Sequence, residues 1–300
     1  MAAVNEMVTW DEGDIRDLAH LHKAVARHSP EIVFHLAAQS LVRKSYEAPI
    51  STFDTNVIGT ANVLEASRHS SSVRTVVIVT SDKCYENADH SLRAFVEDDP
   101  LGGQDPYSAS KACAELVVTA FRSVSKLKIA TARAGNVIGG GDWAVDRLVP
   151  DLIRALSHGE PALIRNPSSV RPWQHVLEPL AGYLALAEHL HADAIRGGAW
   201  NFGPAVDGTL VVSALADEVC RLWGDGASWA LAPGSHPQEA RYLTLDATKA
   251  REQLAWKPKL DWRATLDWTV RWYKAVIAGA SARAETLRQL HAYSELVDEV

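Results

Sequence analysis

Two residues in one short segment of the chain have the types and the spacing for proton transfer. Tyr107 and Lys111 lie within the run Asp-Pro-Tyr-Ser-Ala-Ser-Lys. In a helix their spacing puts both side chains on one face, about one turn apart. An ammonium group at that separation lowers the pKa of a phenol, so we expect Tyr107 to act as a base near neutral pH.

A second polar segment, Thr80-Ser81-Asp82-Lys83, directly follows the apolar residues 76–79, which are predicted to form a buried strand. Ligands of open α/β sheets bind at the carboxyl ends of the strands. An elimination next to a carbonyl needs one acid and one base close together, and Asp82 and Lys83 supply both if Lys83 is partly desolvated. A surface ion pair in a turn is the alternative interpretation. Together the two segments predict a site that moves a hydride and protons.

Strands and helices alternate along the first half of the chain. Short apolar runs at residues 31–36, 75–79 and 128–133 are predicted strands, and residues 49–69 and 107–125 have helical spacing. This alternation favours a parallel sheet with right-handed crossovers. Beyond about residue 136 the pattern loosens into a smaller lobe, which we expect to cover the carboxyl ends of the sheet.

A nucleotide-binding sheet normally opens with a strand, a glycine-rich turn and a helix. The first glycine of this chain is Gly13, and no such turn follows a strand near the start. Gly139-Gly140-Gly141 lies too late in the chain to take its place. We therefore expect the chain to begin about two strands and a helix late, at a cost in cofactor affinity, since these glycines let backbone amides approach a pyrophosphate.

Composition excludes several other functions. The net charge is −7 and there is no basic stripe, so a nucleic-acid partner is not expected. No apolar run approaches the roughly 18 residues of a membrane span, and no signal peptide is evident, which favours the cytoplasm. Cys84, Cys113 and Cys220 lack metal spacing, and His35 is interpreted as a packed imidazole, so no metal is expected.

Several longer motifs make a resemblance specific. Residues 35–39 (His-Leu-Ala-Ala-Gln), 56–60 (Asn-Val-Ile-Gly-Thr) and 107–111 (Tyr-Ser-Ala-Ser-Lys) resemble the extended short-chain dehydrogenase/reductase superfamily. A closer resemblance, over about residues 13–277, is to the CDP-glucose 4,6-dehydratases. It rests on Thr-Ser-Asp-Lys-Cys-Tyr at 80–85, Arg-Ala-Gly-Asn-Val-Ile-Gly-Gly-Gly-Asp-Trp at 133–143, Arg-Pro-Trp-Gln-His-Val at 171–176 and Trp-Asn-Phe-Gly-Pro at 200–204.

The resemblance implies an α/β fold: a Rossmann-like doubly wound parallel sheet, N-terminally truncated, with a smaller C-terminal substrate-binding lobe. Residues 1–140 would form the NAD-binding domain. Residues 141–300 would form mainly the substrate-binding lobe, with some segments returning to the sheet. The implied enzyme is a hydro-lyase that converts CDP-glucose to CDP-4-keto-6-deoxyglucose in deoxysugar and polysaccharide biosynthesis.

The resemblance also implies roles for individual residues. Tyr107 would remove the proton of the 4-hydroxyl while C4 gives its hydride to NAD, and Lys111 would tune Tyr107 and hold the nicotinamide ribose. Thr80 or Ser81 would bind the 4-oxygen, and the choice between them stays open. Asp82 would protonate the leaving 6-hydroxyl and Lys83 would take the C5 proton, after which the hydride returns to C6. In related dehydratases Asp-Glu often stands in place of Asp-Lys.

Further residues are expected at the two binding sites. Those expected to contact NAD are Asp14, Ile15, Leu36, Ala37, Ala38 and Gln39, besides Tyr107 and Lys111. Those expected to contact the nucleotide-sugar are Asn136, Arg165, Asn166, Arg171, His175 and Tyr242. Arginine suits a pyrophosphate because its guanidinium binds oxyanions in a bidentate manner. Tyr242 is the last residue of a proposed substrate loop, His-Pro-Gln-Glu-Ala-Arg-Tyr.

Two other functions stay open. A related NAD-dependent epimerase, or a dehydratase of another nucleotide-sugar, would carry most of these motifs. A truncated remnant, catalytically impaired, would bind the nucleotide-sugar without turning it over. A homo-oligomer is expected from the resemblance.

Overall fold

The structure, a computed structural model, describes residues 8–87, 92–205, 208–234 and 242–298. Its strands are β1 (Ile32–His35), β2 (Thr75–Val79), β3 (Lys128–Ala134), β4 (Asn136–Ile138), β5 (Ala162–Ile164), β6 (Val170–His175), β7 (Ala199–Phe202), β8 (Thr209–Val211) and β9 (Trp229–Leu231). Its α-helices are α1 (Leu18–His28), α2 (Val42–Glu47), α3 (Pro49–Phe53), α4 (Gly59–Arg68), α5 (Pro106–Val124), α6 (Leu148–Ser157), α7 (Leu177–His191), α8 (Val212–Trp223), α9 (Thr248–Gln253), α10 (Trp262–Ile277) and α11 (Ala282–Asp298).

The main sheet is parallel throughout and has the strand order β1-β2-β3-β7. Its central strand β2 pairs Val76 with Val33 on one side and with Ile129 on the other. Val76, Val77 and Ile78 are buried because helices cover both faces of the sheet. The α/β, Rossmann-like fold predicted from the alternation of strands and helices is therefore confirmed.

Helix α5 carries the Tyr107–Lys111 pair and has a well-defined start. The side chain of Asp105 accepts a hydrogen bond of 2.9 Å from the backbone amide of Ser108, and Pro106 occupies the first turn, where its missing N–H costs nothing. The buried face of the helix includes Tyr107, Lys111 and Glu115, one turn apart in succession. That face therefore carries ionisable groups into the protein interior.

Residues 49–69, predicted as one helix, form α3 and α4 joined by a π-helical turn at Asp54–Ile58. The side chain of Asn56, inside this turn, donates to the hydroxyl of Ser110 on α5 at 2.9 Å and to the carbonyl of Gln39 at 3.0 Å. Wide turns of this kind occur often at functional sites. This one places a polar side chain between the end of β1 and α5.

Residues beyond 140 contribute to two regions. Strand β7 completes the main sheet beside β3, and helix α7 packs on β2 and β3. The other region has two small sheets, β4-β6-β8 and β5-β9, which pack with α6, α8 and α10 around a separate apolar core. Among the described residues, no helix is long and apolar enough to cross a bilayer, and no cluster of side chains could hold a metal ion.

Candidate active site

The carboxyl end of β2 leads directly into the predicted catalytic segment. Ser81 begins a short 3₁₀ turn, Asp82–Cys84, and its hydroxyl accepts a hydrogen bond of 3.2 Å from the amide of Lys83. Ser81, Asp82, Lys83 and Tyr107 all line one cavity of about 340 Å³. The structure thus brings the two motifs together at the sheet edge where ligands of α/β folds bind.

The hydroxyls of Thr80 and Ser81 have different partners. Thr80 donates a hydrogen bond of 2.5 Å to the buried carboxylate of Glu115, away from the cavity. Ser81 donates to the carboxylate of Asp82 at 3.0 Å, interacts with the phenol of Tyr107 and lines the cavity beside it. Of the two hydroxyls that the sequence left open, Ser81 is therefore the one placed to hold a substrate oxygen, and the catalytic assignment of Thr80 is corrected to a supporting position.

Asp82 has the environment of a proton donor. Its side chain is buried, and its Oδ2 has no hydrogen-bond partner within the described protein. Burial raises the pKa of the Asp82 carboxyl. The nearby positive charge of Lys83 lowers this pKa, but by less than burial raises it. A carboxyl that stays protonated above its usual pH range can donate a proton to a leaving group.

The expectation that Lys111 lowers the pKa of Tyr107 is wrong for the protein alone. Burial raises the pKa of Tyr107 to about 12. The interaction with Ser81 and more distant charges such as Arg147 lower this pKa, but they do not offset the effect of burial. The Lys111 ammonium donates to the carbonyl of Val79 at 3.3 Å. Burial also lowers the pKa of Lys111 to about 8. The sequence shows the spacing of this pair but not the depth at which it is buried.

The loop after β1, predicted to contact the cofactor, is held by Asn56. The side-chain oxygen of Asn56 accepts a hydrogen bond of 2.8 Å from the backbone amide of Gln39, and the side-chain NH₂ group of Asn56 donates to the backbone carbonyl of Gln39. Leu36 and Ala37 stay exposed beyond the strand. Asn56 belongs to the motif 56–60, but the motif alone did not indicate this role for its side chain.

Asp14 and Ile15, the other predicted cofactor contacts, lie beside α4. The Asp14 carboxylate accepts a hydrogen bond of 2.6 Å from Arg16, and hydrogen bonds from Arg16 lower the pKa of Asp14 to about 2. A Cβ added to Gly59 would come within 2.5 Å of the Ile15 side chain, so this glycine permits the close packing. The segment is thereby fixed at one end of α4.

The predicted substrate residues separate into two groups. Asn136, Arg165, Asn166 and Arg171 line the cavity with the catalytic segment. His175 does not belong to the lining: its ring is buried, with its centroid 5.7 Å from that of Trp268. We therefore correct the assignment of His175 to a packing role.

Tyr242 also lies outside the described cavity lining. It forms a β-bridge with Val170, and its carbonyl accepts from Asn87 at 2.9 Å. Its assignment as a substrate contact is not supported by this placement. The remainder of the proposed loop, residues 236–241, lies outside the described part of the chain.

Two arginines that the sequence motifs did not indicate, Arg43 and Arg147, also line the cavity. Arg43 and Arg165 both donate to the carboxylate of Asp146, at 2.7 and 3.0 Å. Arg147 donates to Asp142 at 2.8 Å and to the hydroxyl of Ser40 at 2.6 Å. These bonds connect the loop after β1 with the lobe. They also place several arginines, partly neutralised by Asp142 and Asp146, along one side of the cavity, where guanidinium groups could bind a diphosphate.

The parallel sheet, the Tyr107–Lys111 helix and the polar end of β2 are the arrangement of a short-chain dehydrogenase/reductase. A family model described as GDP-mannose 4,6 dehydratase matches residues 2–268, and the chain belongs to that family.

Within it, the chain is 46% identical over 300 residues to the CDP-glucose 4,6-dehydratase of Salmonella typhimurium, covering 97% of this chain and 83% of that protein. The dTDP-glucose 4,6-dehydratase of Streptomyces griseus is 32% identical over 269 residues, covering 88% and 77% of the two chains.

Solved structures give the same architecture. A dTDP-glucose 4,6-dehydratase of Streptomyces venezuelae, a double mutant with NAD and DAU bound, is 26% identical, with a TM-score of 0.78 over 91% of this chain and 82% of that one. The UDP-glucose 4-epimerase of Thermotoga maritima is 24% identical, with a TM-score of 0.78 over 89% and 84% of the two chains, and supports the fold alone.

Proposed function

We propose that this chain is an NAD-dependent hydro-lyase that removes water from CDP-glucose to give CDP-4-keto-6-deoxyglucose. The observation that carries the proposal is the adjacent pair Asp82–Lys83, which lines one cavity with Ser81 and Tyr107. A dehydration of this kind needs an acid for the departing hydroxyl and a base for the neighbouring carbon, and this pair offers both. The similarity to a CDP-glucose 4,6-dehydratase supports the choice of substrate.

The chain's own residues fit the nicotinamide and ribose half of NAD. The buried Lys111 and Tyr107 stand on one face of α5, and Asn56 holds the loop after β1 open beside them, with Leu36 and Ala37 exposed. Ala38, Gln39, Asp14 and Ile15 complete the proposed contacts. NAD, when bound, supplies a reversible hydride acceptor.

Each polar group at the end of β2 then has a distinct task. Ser81 and Tyr107 hold the 4-oxygen of the sugar. Tyr107 accepts its proton in the ionised form, which burial opposes in the protein alone and which the positive charge of an oxidised nicotinamide would favour. Once C4 is a ketone, the C5 proton becomes acidic, and the Lys83 amine removes it. Asp82 donates its proton to the 6-hydroxyl as it leaves as water, which gives an unsaturated 4-keto sugar with a double bond between C5 and C6. Return to C6 of the hydride first taken from C4, and return of the proton from Lys83 to C5, then give the 4-keto-6-deoxy sugar.

We propose that the arginine-lined side of the cavity binds the diphosphate. Arg171 is buried, and Arg165 forms a salt bridge with Asp146 in the cavity wall. Asn136 and Asn166 also line the cavity, and their side-chain amides can hydrogen-bond hydroxyl groups of the ligand. Guanidinium groups bind phosphate oxygens through paired hydrogen bonds, which orients the sugar as well as holding it. The arrangement leaves the sugar end of the ligand facing Ser81 and Tyr107.

Mass spectrometry of the protein incubated with NAD and CDP-glucose tests the proposal. Loss of one water from the sugar nucleotide supports it, whereas an isomer of unchanged mass identifies an epimerase. The same assay with dTDP-glucose, UDP-glucose and GDP-mannose tests the nucleotide. Turnover of one of those in preference to CDP-glucose would refute the substrate, and unchanged turnover by Tyr107→Phe would refute the assigned base.

We also propose that the protein is a homo-oligomer that works in the cytoplasm. Both are what the resemblance to this family implies. Light scattering on a size-exclusion column tests the first, with a monomer mass as the contrary result. Fractionation of the source cells tests the second.

A further inference from the structure

A buried ion pair lies directly beneath the catalytic turn, and the mechanism above does not use it. Glu115 and Arg133 are almost completely buried, with 1% and 3% of their surface exposed. The Glu115 Oε1 accepts from Arg133 Nε at 2.9 Å and from the Thr80 hydroxyl at 2.5 Å. Its Oε2 accepts from Arg133 Nη2 at 2.8 Å and from the Thr131 hydroxyl at 2.8 Å. Each carboxylate oxygen therefore binds one guanidinium nitrogen and one threonine.

The pair holds both ends of the catalytic turn. Thr80, which precedes Ser81, is bound to Glu115 through its side chain and to the carbonyl of Ala132 through its amide, at 2.9 Å. Tyr85, which follows the turn Asp82–Cys84, accepts a hydrogen bond of 2.8 Å from Arg133 on its hydroxyl. The residues between these two anchors are Ser81, Asp82, Lys83 and Cys84.

Stability alone does not account for this arrangement. A buried ion pair gains little net free energy, because removing both charges from water costs about as much as their attraction returns. Hydrogen bonds to both ends of a short turn restrict the directions of the side chains inside it, and a misplacement of about 1 Å can cost roughly a hundredfold in rate. The pair is therefore best explained by the geometry it imposes on the turn.

We propose that Glu115 is a positioning residue, which acts through Thr80 to hold Ser81 and Asp82 against Tyr107. This inference rests on the proposed function for the identity of the reaction, but the geometry it describes does not depend on the substrate. Glu115 itself lies behind the turn and lines no part of the cavity among the described residues.

The two threonines allow a matched experiment. Thr80→Val and Thr131→Val each remove one hydroxyl from the same carboxylate, and each leaves that oxygen its bond to Arg133. We expect Thr80→Val to lower kcat roughly tenfold to a hundredfold with little change in KM, since the turn loses one anchor. We expect Thr131→Val to leave kcat within about twofold, because Thr131 lies inside β3 and does not anchor the turn. Both valine variants should lose a similar amount of thermal stability, since each removes one hydrogen bond to the same carboxylate. Thr80→Ser keeps the hydroxyl and should restore kcat.

Amide hydrogen exchange supplies a readout that needs no substrate. The amides of Lys83, Cys84 and Tyr85 bond to Ser81 and Asp82 within the turn. Thr80→Val should accelerate their exchange, and Thr131→Val should not. Equal effects of the two valine variants on exchange or on kcat, or an unaffected Thr80→Val, would overturn the proposal. Selective exchange together with a wild-type protein that dehydrates no sugar nucleotide would refute the proposed function and leave the positioning role intact.

Discussion

The hydroxyl of Ser81 donates a 3.0 Å hydrogen bond to the carboxylate of Asp82 and interacts with the phenol of Tyr107, which lines the same cavity. One short side chain therefore joins the expected base for the oxidation to the expected acid for the elimination. A change in the protonation of either group alters the hydrogen-bonding role available to Ser81. The two halves of the reaction are thus coupled through a single hydroxyl.

Asp82→Asn should lower kcat by roughly a hundredfold to ten-thousandfold, the contribution of a positioned general acid. We expect the wild-type rate to fall as rising pH deprotonates Asp82, and the variant should lose this fall. A pH profile of kcat from about pH 5 to 9 checks both. If the rate of the variant falls at high pH as the wild-type rate does, the titrating group responsible for that fall is not Asp82.

The same variant should be more stable than the wild type at neutral pH. Burial raises the pKa of Asp82 in the folded state, so its ionisation opposes folding: the stability that it contributes is full below the unfolded pKa and is lost as pH rises through the folded pKa. An uncharged amide avoids that loss, and a gain of about 1 kcal/mol would raise Tm by roughly 2–4 °C in a protein of this class. The gain should vanish in acid. Asp98→Asn, at an exposed position, is a suitable control.

The identity of the base at position 83 can be tested with two substitutions of similar length. Lys83→Gln removes the amine and should lower kcat by roughly a hundredfold or more. Lys83→Glu supplies a carboxylate, which can also accept a proton, and should keep more activity than Lys83→Gln. Exchange of the C5 proton with deuterated water measures the step directly. Equal residual exchange in both variants would show that another group removes this proton.

Lys111 should make stability depend on pH in the alkaline range. Burial lowers its pKa to about 8, while an unfolded lysine titrates at about 10.5, so the unfolded chain binds more protons between these values. Stability from this group therefore rises with pH across that interval, by an amount on the order of 3 kcal/mol. Thermal unfolding of wild type and Lys111→Met from pH 7 to 10 checks this. The stabilisation by methionine should be largest at pH 7 and shrink as pH rises, and a constant difference would contradict the shifted pKa.

Asn56→Leu should loosen the loop after β1. The substitution leaves the amide and the carbonyl of Gln39 without partners, a loss of about 1–3 kcal/mol for a partly buried backbone group. Unfolding in urea measures the loss, and NAD affinity measured by calorimetry should fall in parallel. Asn87→Leu, which removes a hydrogen bond to the backbone carbonyl of Tyr242 away from the loop after β1, is the matched control and should change NAD affinity little. Equal effects of both variants would show that Asn56 acts only through general stability.

Much of the fold could be predicted from the sequence because buried parallel strands and amphipathic helices carry strong local patterns. The strand at 75–79 and the helix from Tyr107 depend on such patterns, and the structure has both at nearly these residues. The π-helical turn around Asn56 could not be predicted, because its side chain bonds form with residues 17 and 54 positions away.

The catalytic residues were predictable in type but not in detail. Successive residues of an extended chain point to opposite sides, so Thr80 and Ser81 had to differ, but only the position of α5 shows which of them meets Tyr107. The pKa of Tyr107 follows from burial, which the Tyr–Lys spacing does not report. His175 was misassigned because a motif of polar residues on a strand does not show which face lies against α10.

Lys83 occupies a half-exposed position in a short turn, beside a buried acid that the fold holds from beneath. Codons for lysine and glutamate differ by one base. A single mutation could therefore replace an amine with a carboxylate at the proton acceptor without disturbing the scaffold that holds Asp82 and Tyr107. Lineages of dehydratases can thus diverge at this position in small steps, since the parts that require exact geometry lie in the sheet and in α5.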